Sequence, residues 1–299
     1  MNVVEIGLEW VDRRVLLGSL EPSTADDYRK SVRSWSSLPE NPSKWDVEDA
    51  VAAMIAQGRA PSTVRKRLVT IRSAMEWAVE RGKAPDNPFV GVGRPKVRVG
   101  QKNFLPADER ERLKARISSS NTQITVAAAL ALYAGLREAE ICALRTSDLD
   151  LEAGIGWVRR SVGRTKGQTY LKDAKNGHMR DFPLPEPLSL AIGRWVDSNS
   201  LQKGSFLLTG TDKWADPVVV GRKWSSLCEL EGLRGVLGTP PTFHDLRHTY
   251  ATVAIASGVD VKTVSSVLGH SSAAMTLDVY AVADPVAKRL SAEVVGRAI

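Results

Sequence analysis

The sequence predicts a mainly α-helical chain with one small antiparallel β-sheet, an α+β protein in two domains. Three observations predict it. Apolar residues recur at steps of three and four through the first 90 residues and again after residue 185. Between residues 155 and 184 the pattern changes to three short strand-like runs, with Asn176-Gly177 as a hairpin signal. Between these lies GVGRPKVRVGQKN, residues 91–103, with three glycines, one proline, four cationic side chains and no acid, the composition of an interdomain linker. The expected boundaries are therefore a helical domain over 1–90, a basic linker over 91–103 and a second domain over 104–299.

Taken in order, helices are predicted over 3–17, over 23–36 opening at Ser23-Thr24, and over 46–57, where Gly58 stops the chain. The clearest runs over 61–82. Pro61 and Ser62 mark its start, and Val64, Leu68, Ile71, Met75 and Ala78 form a core stripe. Arg65, Lys66 and Arg72 lie off that stripe, free to face a polyanion. Four such helices make a small bundle, closed by Gly82, Pro85, Asn87 and Pro88. The second domain opens with an amphipathic helix over 107–118. QITVAAALALYA, residues 123–134, is too short to cross a bilayer and too apolar to face water, so it reads as a buried core helix ended by Gly135. Arg137 starts a short helix. Strands follow at Ile155–Arg160, Thr169–Ala174 and Met179–Leu184. Helices return at 188–195, 217–232, 244–257, 260–268, 273–281 and 285–298.

Composition excludes several classes. With 299 residues, 43% hydrophobic and 25% charged, the chain is ordinary globular protein. It has no apolar run of about 18 residues to span a membrane, and its first residues lack a secretory core. Cys142 and Cys228 sit in apolar surroundings, as buried thiols of a reducing compartment rather than a disulfide or metal site. The net charge of +7 is uneven: residues 1–60 hold seven Lys/Arg against ten Asp/Glu, whereas 61–102 hold ten against three. A concentrated basic stretch suits nucleic acid, with Arg65, Lys66, Arg72, Arg94, Lys96, Arg98 and Lys102 as the expected DNA contacts. The helix over 61–82 is the expected major-groove reader. A solvated helix face is the plainer reading of the same charges.

The stretch Pro241–Ala281 holds the chemistry. Thr242-Phe-His-Asp245 matches a capping box, so a helix starts there with His244 and Arg247 one turn apart near its positive end, an anion site in prospect. His248 is placed to support them. His270 follows a helix stopped by Gly269, and Tyr280 lies ten residues on. Earlier, Arg137 sits beside the apolar 123–134 segment and must be paired. Lys175 stands at the hairpin mouth, with Lys172 as the fallback. Alone, each has an ordinary explanation: a local Arg–Glu bridge, a turn lysine, a capped surface helix, a packed tyrosine. Together they are what phosphoryl transfer needs. Guanidinium forks bind non-bridging oxygens, a lysine protonates a leaving oxygen, and a phenol of pKa about 10 attacks once deprotonated.

At these residues the chain resembles the tyrosine recombinase family, which includes phage integrases and Xer-type recombinases. AGLREAEICALR resembles the first arginine box with Arg137, DAKNG the hairpin lysine motif with Lys175, HDLRHTYAT the HxxR box with His244 and Arg247, LGHSS the second histidine box with His270, and DVYA the nucleophile box with Tyr280. The resemblance implies a core-binding domain and a catalytic domain that clamp double-stranded DNA at attachment or recombination sites. It implies a 3′-phosphotyrosine intermediate, no cofactor and no metal. It further implies a tetramer on paired sites, passing through a Holliday junction in the cytoplasm at the nucleoid, with room for an accessory directionality factor. The interval from His270 to Tyr280 is one residue longer than in many members. The chain starts at the core-binding helices, so no arm-binding domain is expected, and the helix over 285–298 is expected to dock on a neighbouring protomer. A catalytically silent DNA-binding protein and a type IB topoisomerase-like relaxing enzyme are the competing functions.

Overall fold

A computed structural model of the protein describes residues 2–97, 100–173 and 179–269, together with Gly296. The described chain divides into two compact units. One comprises the residues up to 97 with Arg164–Gln168, the other residues 100–163 and those from Thr169 on.

The first unit contains α1 (Val3–Leu16), α2 (Pro22–Arg33), α3 (Lys44–Ala56) and α4 (Pro61–Glu80). Local chemistry sets the helix starts. The Asn2 side chain accepts from the Val4 and Glu5 amides, Ser43 and Asp46 form a reciprocal capping box, and Pro22 and Pro61 occupy first helical positions. Val64, Leu68, Ile71, Met75 and Ala78 are all buried, as their spacing predicts, and share a core with Val11, Val32, Trp35 and Val47. Each such large side chain contributes about 1.5–3 kcal/mol through burial.

The second unit is built around α6 (Gln123–Ala134). Its burial on nearly every side explains a segment with no polar face. Around it pack α5 (Ala107–Ser119), α8 (Glu186–Ser198), α9 (Pro217–Glu231) and α10 (Phe243–Ala256). The short α7 (Glu138–Ile141) follows α6, and α11 (Val261–Leu268) follows α10. The burial of Cys142 and Cys228 raises both thiols, Cys228 to about 12, so both stay protonated at neutral pH.

The strands are β1 (Leu149–Asp150), β2 (Ile155–Val158), β3 (Arg160–Thr165), β4 (Gln168–Asp173) and β5 (Arg180–Pro183). Their pairing departs from the sequence expectation of a hairpin centred on Asn176-Gly177. β5 pairs antiparallel with β2, and β4 pairs with β3. The β3–β4 turn is Lys166-Gly167, with φ of 46° and 82°, the double positive φ that a two-residue type I′ loop demands. In the β2–β5 register Gly156 faces Phe182, whose ring occupies the space a side chain at Gly156 would fill. That fit holds β5 to β2. Among the described residues no helix is long and apolar enough to cross a membrane. The Asn176-Gly177 turn and the helices expected over 273–281 and 285–298 lie outside the described residues.

Candidate active site

Three chain segments build the site. The first is the exit from α6. Gly135 adopts φ 63° and ends the helix. A Cβ there would lie 2.6 Å from Leu268 Cδ2 and 2.9 Å from Tyr250 Cδ1, so both the conformation and the close approach require glycine. Leu136 is buried behind it, and Arg137 stands at the N-cap of α7 with its side chain 39% exposed. Its guanidinium donates from Nη1 to Glu140 Oε1 (2.9 Å) and from Nη2 to the Gly269 carbonyl (3.0 Å). Its backbone amide donates to Glu140 Oε2 at 2.9 Å. The local Arg–Glu bridge that the sequence allows is therefore present.

The second segment is the start of α10. Thr242 and Asp245 form the capping box read from the sequence. Arg247 is 1% exposed, and donates from Nη1 to the Gly135 carbonyl (2.8 Å) and from Nη2 to the Leu268 carbonyl (2.6 Å). Burial, then the Arg137 charge, lower its pKa to about 9, partly offset by Glu140; the group stays charged at neutral pH. His244, exposed at the helix start, stacks edge-on against the buried His248 with ring centroids 4.4 Å apart. Desolvation of its ring, then the Arg247 charge, with smaller contributions from Arg137 and Lys102, lower its pKa below 6.5. Its neutral form, able to accept or donate a proton, therefore dominates at pH 7.

The third segment is the end of α11, where Leu268 and Gly269 offer adjacent carbonyls to Arg247 and Arg137. The two guanidiniums share one helix terminus, whose partial negative charge favours cations. Glu140 is buried, and burial works against its charge. The Arg180 fork and then Arg137 outweigh that and hold the carboxyl below its usual range. Two guanidiniums, Arg137 and Arg180, thus pair with one carboxylate, while Arg247 bonds only backbone carbonyls. The surplus is positive, and Arg137 and Arg247 each commit two of their five N–H donors to the contacts described.

Sequence reasoning singled out Arg137, His244 and Arg247, and the structure brings them together. Lys175, His270, Tyr280 and Arg98 lie outside the described residues. Lys172 is half-buried on β4. Sequence reasoning reached Glu140 only as a local salt-bridge partner for Arg137, and it did not single out Arg180. Glu140 was legible as the third residue of a capped turn; nothing local marks Arg180. The expected DNA contacts Arg65, Arg94, Lys96 and Lys102 are exposed. Lys66 pairs with Asp27 (3.0 Å), and Arg72 with Glu76 (3.0 Å), both near solvent. Among the described residues no cluster of His, Cys, Asp or Glu could hold a metal.

A helical scaffold presenting paired, partly buried guanidiniums beside a neutral histidine defines a class of anion site suited to a phosphoryl group. The model of the phage integrase family matches residues 103–285, and the chain belongs to that family, the tyrosine recombinases. A tyrosine recombinase of Thermosipho africanus is 28% identical over 88% of this chain and 89% of its own. The tyrosine recombinase XerA of Thermococcus kodakarensis is 30% identical over 77% of this chain and 88% of its own. In fold, the chain is similar to a Tn1549 transposon integrase solved with transposon right end DNA, with a TM-score of 0.79, 22% identity, and coverage of 98% of this chain and 99% of that one.

Proposed function

We propose that this chain is a site-specific recombinase that cuts and rejoins duplex DNA through a 3′-phosphotyrosine link at Tyr280. The observation that supports it is the surplus of positive charge at the half-buried Arg137 and the buried Arg247, with N–H donors left over for an anion. The scissile phosphodiester lies against those two guanidiniums, which hold its non-bridging oxygens as charge builds on them. The Tyr280 oxygen attacks phosphorus, the bond to the 5′ oxygen breaks, and Lys175 gives that oxygen its proton. His244, neutral at pH 7, takes the phenolic proton, and His270 binds the phosphate beside it. A 5′-hydroxyl from the partner strand then attacks the phosphotyrosine and releases Tyr280. The ester conserves the energy of the diester, so the chemistry needs no nucleotide and no metal.

The helical domain over 1–90 and the linker over 91–103 hold the DNA, through Arg65, Lys66, Arg72, Arg94, Lys96, Arg98 and Lys102. The domain over 104–299 performs the chemistry. Four protomers act on two sites at the nucleoid, with an accessory factor biasing direction. The MTLDVY interval before Tyr280 supports the integrase-like outcome, integration or excision.

A nicked suicide substrate tests this reading. The wild type forms a covalent protein–DNA adduct and Tyr280→Phe does not; no adduct on any candidate site would leave a DNA-binding protein. Relaxation of site-free plasmid would favour the topoisomerase-like alternative. A chain ending at Asp284 tests the docking of the terminal helix: it binds DNA but loses the assembled complex on gel filtration.

A further inference from the structure

Beyond the two arginines of the proposed phosphate clamp, a third guanidinium ties the α7 turn to the end of α11. Arg180 opens β5, five residues after Lys175. Its side chain, 17% exposed, makes three bonds. Nη1 and Nη2 fork onto both oxygens of Glu140 at 2.8 and 2.6 Å, and Nε donates to the Val267 carbonyl at 2.9 Å.

Those bonds complete a pattern. A helix ends with carbonyls that find no amide partner. At the end of α11, Val267, Leu268 and Gly269 are consecutive, and each carbonyl accepts from a different arginine: Arg180, Arg247 and Arg137 in turn. Of the three guanidiniums only that of Arg180 takes both Glu140 oxygens; that of Arg137 takes Oε1, and its backbone amide takes Oε2. The aliphatic stem of Arg180 lies across Gly269, where a Cβ would come within 2.9 Å of Arg180 Cδ, at a φ of 63°. Glycine there serves both the turn and the arginine packed on it.

We propose that Arg180 is a positioning residue: it ties Glu140, and through it Arg137, to the α11 terminus that also holds Arg247, and so fixes the spacing of the two guanidiniums that receive the phosphate. The inference rests on the recombinase reading above. A rigid fork suits the task. Lysine keeps the charge but can neither grip both carboxylate oxygens in one plane nor reach a third acceptor in fixed geometry. A displacement of about 1 Å in a catalytic group costs on the order of 10²-fold in rate.

The test uses Arg180→Lys in the full chain, with Arg180→Gln as a second variant, on two suicide substrates. One carries the natural scissile phosphate. The other carries a methylphosphonate there, which lacks one negative charge and so relies less on two correctly spaced guanidiniums. We expect R180K to fold and to bind DNA within about threefold of wild type, yet to form adduct roughly 10- to 100-fold more slowly on the natural substrate. On the methylphosphonate the deficit shrinks to within about threefold. A residue that merely stabilises the fold would lower both rates equally, and that equality would overturn the proposal, as would a wild-type rate in R180K. A readout without chemistry separates this from the parent reading. In 15N-arginine-labelled protein, the Nε–H signals of Arg137 and Arg247 shift in R180K and R180Q. If they stay in place, Arg180 does not position them, whether or not Tyr280 forms an adduct. If they shift while Tyr280→Phe still yields adduct, the assignment of the nucleophile fails and the positioning role stands.

Discussion

Two groups of cationic side chains in this molecule differ in every physical respect except charge. The basic residues of α4 and the linker are mostly exposed, and where they pair they do so near solvent: the Lys66 and Asp27 side chains are 56% and 54% exposed. Such pairs contribute about 0–1 kcal/mol and weaken with salt. Arg137, Arg180 and Arg247 are instead pinned to backbone carbonyls and a buried carboxylate, and Arg247 has no appreciable contact with water. The contrast separates affinity from chemistry. Exposed charges gain binding energy by releasing counterions and tolerate loose geometry. A transition state needs donors already in place before charge develops. The two groups should therefore respond to mutation in different units, one in rate and the other in salt dependence.

The largest effect is expected at Arg247. Lysine there keeps the charge but cannot donate to both Gly135 and Leu268 while also meeting an anion. Adduct formation on the suicide substrate should fall on the order of 10²–10³-fold. Leaving a buried carbonyl unsatisfied should also cost about 1–3 kcal/mol in urea unfolding. If R247K keeps a wild-type rate, the buried group is no more than structural and the contrast collapses.

Gly135→Ala probes the scaffold beneath that arginine. Left-handed backbone costs a side chain about 1–2 kcal/mol, and crowding Leu268 and Tyr250 adds about 1–3 kcal/mol. Unfolding free energy should drop by about 2–5 kcal/mol on these two grounds. A loss below about 1 kcal/mol would mean that Tyr250 and Leu268 move aside at little cost.

His244 sharpens the comparison through pH. Its folded pKa is lowered, chiefly by desolvation and then by Arg247, so in acid the unfolded chain takes up the proton first. The stability it contributes is complete above the ordinary value of 6.5 and is lost as pH falls through the folded value. The melting temperatures of wild type and His244→Asn should therefore converge, or cross in favour of the variant, between pH 7.5 and 5. Parallel curves would show that neither desolvation nor the neighbouring cations lower the His244 pKa.

What was legible in the sequence is what local chemistry dictates. The Thr242–Asp245 cap, the stops at Gly135 and Gly269 and the buried stripe of α4 depend on neighbours within about a turn, and each is found where the spacing places it. What was not legible depends on distant partners. Asn176-Gly177 is the hairpin signal the sequence offers, yet the described strands pair across Lys166-Gly167 and bring β5 to β2, because the fit of Phe182 over Gly156 joins residues 26 positions apart. Arg180 is illegible in the sequence for the same reason. Its carboxylate partner lies 40 residues earlier and its carbonyl partner 87 residues later, so no window of sequence contains all three.

The smallest effect is expected at Lys66, and it tests the other half of the comparison. In the free protein its ammonium sits 3.0 Å from Asp27, an exposed pair on the face of α4 opposite the buried stripe. If that face meets the DNA backbone, a phosphate replaces Asp27 as its partner, and one condensed cation leaves the DNA. Lys66→Gln should then weaken binding by a similar factor on every DNA sequence and make the slope of log K against log[salt] shallower by about 1. The rate of adduct formation at saturating DNA should not change. Asp27→Asn should act in the opposite direction, since it removes the competitor without touching the cation. A slope unchanged in Lys66→Gln would assign this lysine to the helix surface alone and move the DNA-binding face elsewhere on the chain.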